Sequence, residues 1–87
     1  MIKKFIQKHI EKLTIQDIYE FALKNGVSLK ENEAQIIYSH IQNDWEELIF
    51  HDHNRILQAE KNTLERATYE KIEELIILFK NKFKNYL

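Results

Sequence analysis

The chain has no cysteine, no proline and a single glycine in 87 residues. Without cysteine there can be no disulfide framework, no thiolate zinc knuckle and no thiol nucleophile, a composition that fits a reducing cytoplasm. One glycine cannot make the glycine-rich loop that cradles a phosphate. Hairpin turns draw on glycine and proline, so a chain this poor in both points to an all-α fold. Long apolar runs are missing as well: none approaches the ~20 residues that span a bilayer. The opening Met1-Ile2-Lys3-Lys4-Phe5-Ile6 briefly imitates a signal peptide. Gln7, Lys8 and His9 then break the run and no small-residue cleavage site follows, so export is not expected.

What is present is a composition of 44% hydrophobic and 31% charged residues, that of a globular chain and not a disordered one. A single domain of this length buries roughly two-thirds of its unfolded surface. The net charge is −1, but it is unevenly spread. Residues 1–13 carry +3 through Lys3, Lys4, Lys8 and Lys12 against Glu11; residues 14–54 carry −6; residues 55–87 return to +2. Such a pattern serves either an anionic partner or pairing between segments of the chain itself, and the second is preferred.

The apolar spacing is helical throughout. Ile2, Phe5, Ile6, Ile10 and Leu13 recur at three and four residues, predicting a helix over 2–12. Thr14 with Asp17 forms a capping box for a second helix over 15–24, burying Ile18, Phe21 and Ala22 and ending at Asn25-Gly26. Ser28 with Glu31 predicts another capping box and a third helix over 29–43, with Ala34, Ile37, Tyr38 and Ile41 on one stripe. Asn43-Asp44 is expected to fray it, and Trp45, Leu48 and Ile49 to anchor a short connecting turn. Asp52 or Asn54 is expected to cap a helix over 53–61, and Asn62 or Thr63 to start the last helix, over 64–85. Leu57, Leu64, Ile72, Leu75, Phe79 and Phe83 also fit one continuous helix across that break.

The stretch His51-Asp52-His53-Asn54 is the sharpest candidate for chemistry. On a helix, however, its two histidines would stand about 200° apart, so both could not face one ion. The His-to-His spacing of four residues that a helix supports is absent, and His40 would join only if the fold brought it there. We therefore read the stretch as the polar start of a helix and expect no metal site and no cofactor. Ser39 beside His40 makes a poor nucleophile–base pair, because neighbours on a helix diverge. Paired glutamates such as Glu46-Glu47 and Glu73-Glu74 fit a solvated face better than an acid/base pair, so no enzymatic activity is expected.

For nucleic acid, Ala22, Gly26 and Val27 sit where a helix-turn-helix has its tight turn. The following helix begins Lys30-Glu31-Asn32-Glu33, though, and its carboxylates would repel phosphate. A basic face could form from Lys3, Lys4 and Lys8 with Lys80, Lys82 and Lys84 if the termini were neighbours. Membrane-surface attachment through the first helix has only Phe5 as a large aromatic anchor.

Four segments, Leu13-Thr14-x-x-Asp17-Ile18, Gly26-Val27-Ser28-Leu29, Glu33-Ala34-x-x-Ile37 and Ile49-Phe50 followed by Arg55, resemble a small helical family of unknown function from endospore-forming Gram-positive bacteria. The likeness spans nearly the whole chain and its motifs are structural. It implies an all-helical cytoplasmic protein and no activity.

The last segment is the most informative. Leu75-Ile76-Ile77-Leu78-Phe79 is apolar around the whole helix circumference, more than one stripe needs. Ile72, Leu75, Ile76, Phe79 and Phe83 make the best inward stripe, which leaves Ile77, Leu78 and Tyr86 as candidate interface residues. The expectation is thus one all-α domain of four or five helices, a non-catalytic cytoplasmic interaction module whose partner is another protein or a second copy, most simply as a homodimer. The alternative is a small nucleic-acid-binding protein using its basic termini.

Overall fold

A computed structural model of the chain describes residues 2–84. Five helices follow one another: α1 (Ile2–Lys12), α2 (Ile15–Lys24), α3 (Glu31–Phe50), α4 (Gln58–Thr63) and α5 (Arg66–Lys84). No strand occurs among the described residues, and no helix there is long and apolar enough to cross a membrane. The protein is a single small all-α bundle, as its composition implies.

The first half follows local rules closely. At the α1–α2 corner the Asp17 amide donates to Thr14 Oγ1 (3.2 Å) and the Thr14 amide to Asp17 Oδ2 (2.9 Å), the expected reciprocal box. The end of α1 is closed from a distance. Gln42 Nε2 donates to the Ile10 carbonyl (2.8 Å), which also accepts from the Leu13 amide (3.1 Å), and the Tyr38 hydroxyl donates to the Leu13 carbonyl (3.3 Å), so two α3 side chains fasten this corner. Helix α2 stops where Gly26 turns left-handed (φ 77°); the Val27 and Gly26 amides reach back to the Ala22 (2.8 Å) and Leu23 (3.0 Å) carbonyls, a Schellman end.

From Ser28 onward the structure corrects three expectations. Helix α3 starts at Glu31, not 29, and Ser28 with Glu31 does not cap it. The N-cap is Lys30, whose amide donates to Glu33 Oε1 (2.8 Å). A lysine side chain has no acceptor, so only that half of the box exists. The helix breaks where Asn43-Asp44 was expected to fray it, and resumes beyond. Asp44 (φ −127°, ψ 20°) kinks it, and burial of Leu48 and Ile49 with half-buried Trp45 keeps the next turns helical to Phe50.

Second, no helix starts at 53. Asp52 accepts from the Asn54 amide (3.0 Å), making a tight turn, and turns continue to Leu57 before α4 begins. Leu57 is fully buried, which fixes where those turns end. Third, the last helix opens at Arg66 and not at 64, though its separation from α4 is the break expected near Asn62-Thr63. Leu64 is extended (φ −95°, ψ 156°), and the Thr63 hydroxyl donates backwards to the Ala59 carbonyl (2.9 Å).

Helix α3 is the centre. It packs against α1, α2 and α5, while α4 rests on α5. The core joins Ile6 and Ile10 of α1, Ile18 and Ala22 of α2, Ala34, Ile37, Ile41, Leu48 and Ile49 of α3, and Leu57. From α5 come Tyr69 and the inward stripe Ile72, Leu75, Ile76, Phe79 and Phe83.

Two adjacent α5 residues test this placement. Ile76 is 0% exposed and Ile77 38%. Ile76→Ala is expected to cost about 2–5 kcal/mol by cavity formation, and Ile77→Ala about 1 kcal/mol or less. Urea unfolding at low micromolar protein measures both.

Candidate functional site

The charged side chains of the interior are organised in pairs between elements far apart in sequence. Glu33 is the one buried charged residue among those described, at 2% exposure. Its Oε1 accepts from the Lys30 amide (2.8 Å) and from Lys71 Nζ of α5 (3.0 Å), and Lys71 also donates to the Ser28 carbonyl (3.3 Å). Burial works against the Glu33 charge, but the Lys30 amide and the Lys71 ammonium outweigh it and hold the carboxyl below its ordinary value. The pair ties the start of α3 to the first turns of α5.

Sequence reasoning brought the histidines forward, and the structure separates them. The His53 ring meets Glu73 Oε2 at 3.3 Å, an oxygen that also accepts from the Tyr69 hydroxyl at 3.3 Å. Burial first, and then Glu73, pushes the Tyr69 phenol above its ordinary value. His51 is exposed, and its carbonyl accepts from Lys80 Nζ. Between them the Asn54 amide holds the Asp52 carboxyl below its usual range. Arg55 reaches back to Glu47 with both Nε (2.7 Å) and its terminal nitrogen, so the loop is laced to the end of α3.

His40 stands elsewhere, with Nδ1 3.2 Å from Asp44 Oδ2 at the kink and Nε2 2.8 Å from Glu60 Oε1 of α4. Both ring nitrogens thus face carboxylates, and neither is turned toward Ser39 to act as its base. Among the described residues no three histidine or carboxylate side chains are placed to hold a metal ion.

The candidate interface residues divide three ways. Ile77 is exposed; Leu78 is half-buried and packs on the core; Tyr86 lies outside the described residues. Ile77 does not stand in an apolar patch. It belongs to a row of exposed α5 residues, Glu70, Glu74, Ile77, Asn81 and Lys84, at spacings of four, three, four and three. The apolar spacing of 75–79 does not single out that row, because the girdle runs across it. The signal was there: acidic before Ile77 and amide or basic after it.

The basic termini do come together, since His9 of α1 meets Phe83 of α5 edge-on at 6.2 Å between ring centres. Several of the lysines are engaged within the fold. Lys3 pairs with Glu46 (3.5 Å) and lies over the Phe50 ring (5.3 Å), and Lys80 holds the His51 carbonyl. Comparison with family models, curated proteins and solved structures finds no match to this chain.

Glu33 gives a signed prediction. A carboxyl held below its unfolded value stabilises the fold above about pH 4.3, and that contribution is lost as pH falls through the folded value. Glu33→Ala is expected to cost about 2 kcal/mol at pH 7, with the gap from wild type narrowing at pH 3. Urea midpoints at the two pH values measure it; an unchanged gap would mean that the charge contributes nothing.

Proposed function

We propose that the protein is a non-catalytic cytoplasmic interaction module that pairs with a second copy of itself through the outer face of α5. The observation that carries this proposal is the charge order along that face. Glu70, Glu74, Ile77, Asn81 and Lys84 follow the alternating three-and-four spacing of a helix-pairing seam, with the large apolar side chain at its midpoint. Two antiparallel copies related by a two-fold axis at Ile77 set isoleucine against isoleucine. Glu70 of each copy then faces Lys84 of the other, and Glu74 lies beside Asn81. A parallel pair would instead oppose glutamate to glutamate and lysine to lysine. A single helix seam is at the small end of interfaces, so the pairing is weak and concentration-dependent. The absence of cysteine agrees with a reducing compartment.

The alternative, a small nucleic-acid-binding protein, is favoured by one observation, the nearness of the two basic termini. Its acidic middle segment opposes phosphate, and duplex DNA is expected to bind no tighter than the ~10⁻⁴–10⁻⁶ M of nonspecific binders at physiological salt. Nanomolar affinity there, lost on Lys84→Glu, would reverse the order of the two readings.

Light scattering over a concentration series tests the pairing. The wild-type mass is expected to rise from 10.6 kDa toward twice that value by high micromolar concentration. Ile77→Glu should keep its helicity by circular dichroism and remain monomeric. Glu70→Lys with Glu74→Lys should weaken the dimer, and adding Lys84→Glu should restore part of it. A wild type that stays monomeric sinks the proposal, and an Ile77→Glu that unfolds would assign Ile77 to the core.

A further inference from the structure

We propose that the groove between α2 and α5 binds an amphipathic carboxylate, a medium-chain acyl anion whose tail lies on the groove floor and whose head sits among lysines at the rim. The groove exists because α2 and α5 both pack on α3 but share little packing with each other. Phe21 and Phe79 meet across it edge-on, 6.4 Å between ring centres. Beneath them lies a cavity of about 300 Å³, floored by Ile37 and Ile41 of α3 and walled by Ile18 and Phe21 of α2 and Leu75 and Phe79 of α5. This site is separate from the pairing seam: Leu75, Phe79 and Lys82 lie about 140–200° around α5 from Ile77.

Size and charge choose the occupant. The volume is at the lower end of small-molecule pockets, ~300–1,000 Å³, and well short of what a partner helix of ~10 Å diameter would fill. The floor is wholly aliphatic and aromatic, which gives a simple inorganic anion no reason to enter. The rim is cationic, with Lys12, Lys24 and Lys82 coming from three different helices and His9 beside them. Lys82 Nζ lies 5.9 Å from the centre of the Phe21 ring, and Lys24 is three residues beyond Phe21 on the same α2 face, so two ammonium groups flank the aromatic wall. Two carboxylates share the rim, Asp17 and Glu20, and Asp17 is already committed to the Thr14 amide. An apolar floor under a net cationic rim matches an apolar tail ending in an anion.

Decanoate is the probe, titrated below its micelle concentration into the full chain, with calorimetry for affinity and amide chemical shifts for position. One saturable site is expected, with shifts at Ile18, Phe21, Ile41 and Phe79 and none centred on Ile77. Lys24→Glu combined with Lys82→Glu, both solvent-side changes that spare the core, should weaken decanoate by about tenfold. Decanol, equal in length and uncharged, should bind less tightly to wild type and be indifferent to the charge reversal. Absence of saturable binding overturns the proposal, as does equal affinity in the charge-reversed variant or equal binding of decanol. If the groove amides instead move on diluting the protein alone, the groove is a self-association surface and the proposal is wrong. The Ile77 seam is then tested separately by its own variants.

Discussion

Everything in this bundle depends on α3 being covered on several sides at once. It is the helix that α1, α2 and α5 all pack against, and its buried residues run from Ala34 near one end to Ile49 at the other. An 87-residue chain has little apolar surface to spare. With most of it gathered around one central helix, the flanking helices are fastened by specific polar contacts as well. Gln42 and Tyr38 hold the end of α1, Lys71 with Glu33 joins α5 to the start of α3, and His40 with Glu60 joins α4 to its middle. The kink at Asp44 lets the second half of α3 turn Leu48 and Ile49 into the same core.

The same arrangement gives α5 its two characters. Its inner stripe completes the core, and its outer row is left to solvent with one large aliphatic residue between charges of opposite sign. Several interior ionisable groups are paired across elements: Glu33 with Lys71, His40 with Glu60 and His53 with Glu73.

Much of the first half was legible in the sequence because its signals are local. Thr14 with Asp17 and Asn25-Gly26 fix their helix ends through contacts within five residues, so no tertiary knowledge was needed. The Ser28–Glu31 box failed for a different reason. Lys30–Glu33 has the same spacing, and the choice between them is tipped by Lys71, which is 38 residues away from Glu33. Asp52 was expected to cap a helix, but the amide it captures, that of Asn54, belongs to a turn. The break before the last helix was expected near Asn62-Thr63, but the apolar spacing continues across it and so also fitted one continuous helix; the structure has the break, at Leu64. The inward stripe of α5 was legible by period alone. The outer row becomes meaningful only once it is known which residues face water.

Because the chain has no cysteine, the central claim can be tested one thiol at a time. An antiparallel pair with its two-fold axis at Ile77 brings that position against its own copy and carries Glu70 away from its own copy toward Lys84. Single variants Ile77→Cys, Glu70→Cys and, as an exposed control on α2, Leu23→Cys can be oxidised mildly and their covalent dimers followed on a non-reducing gel. The account predicts rapid cross-linking of Ile77→Cys and only background for the other two. Cross-linking of Glu70→Cys as fast as Ile77→Cys would mean a parallel pair, and equal slow rates for all three would mean no α5 seam at all.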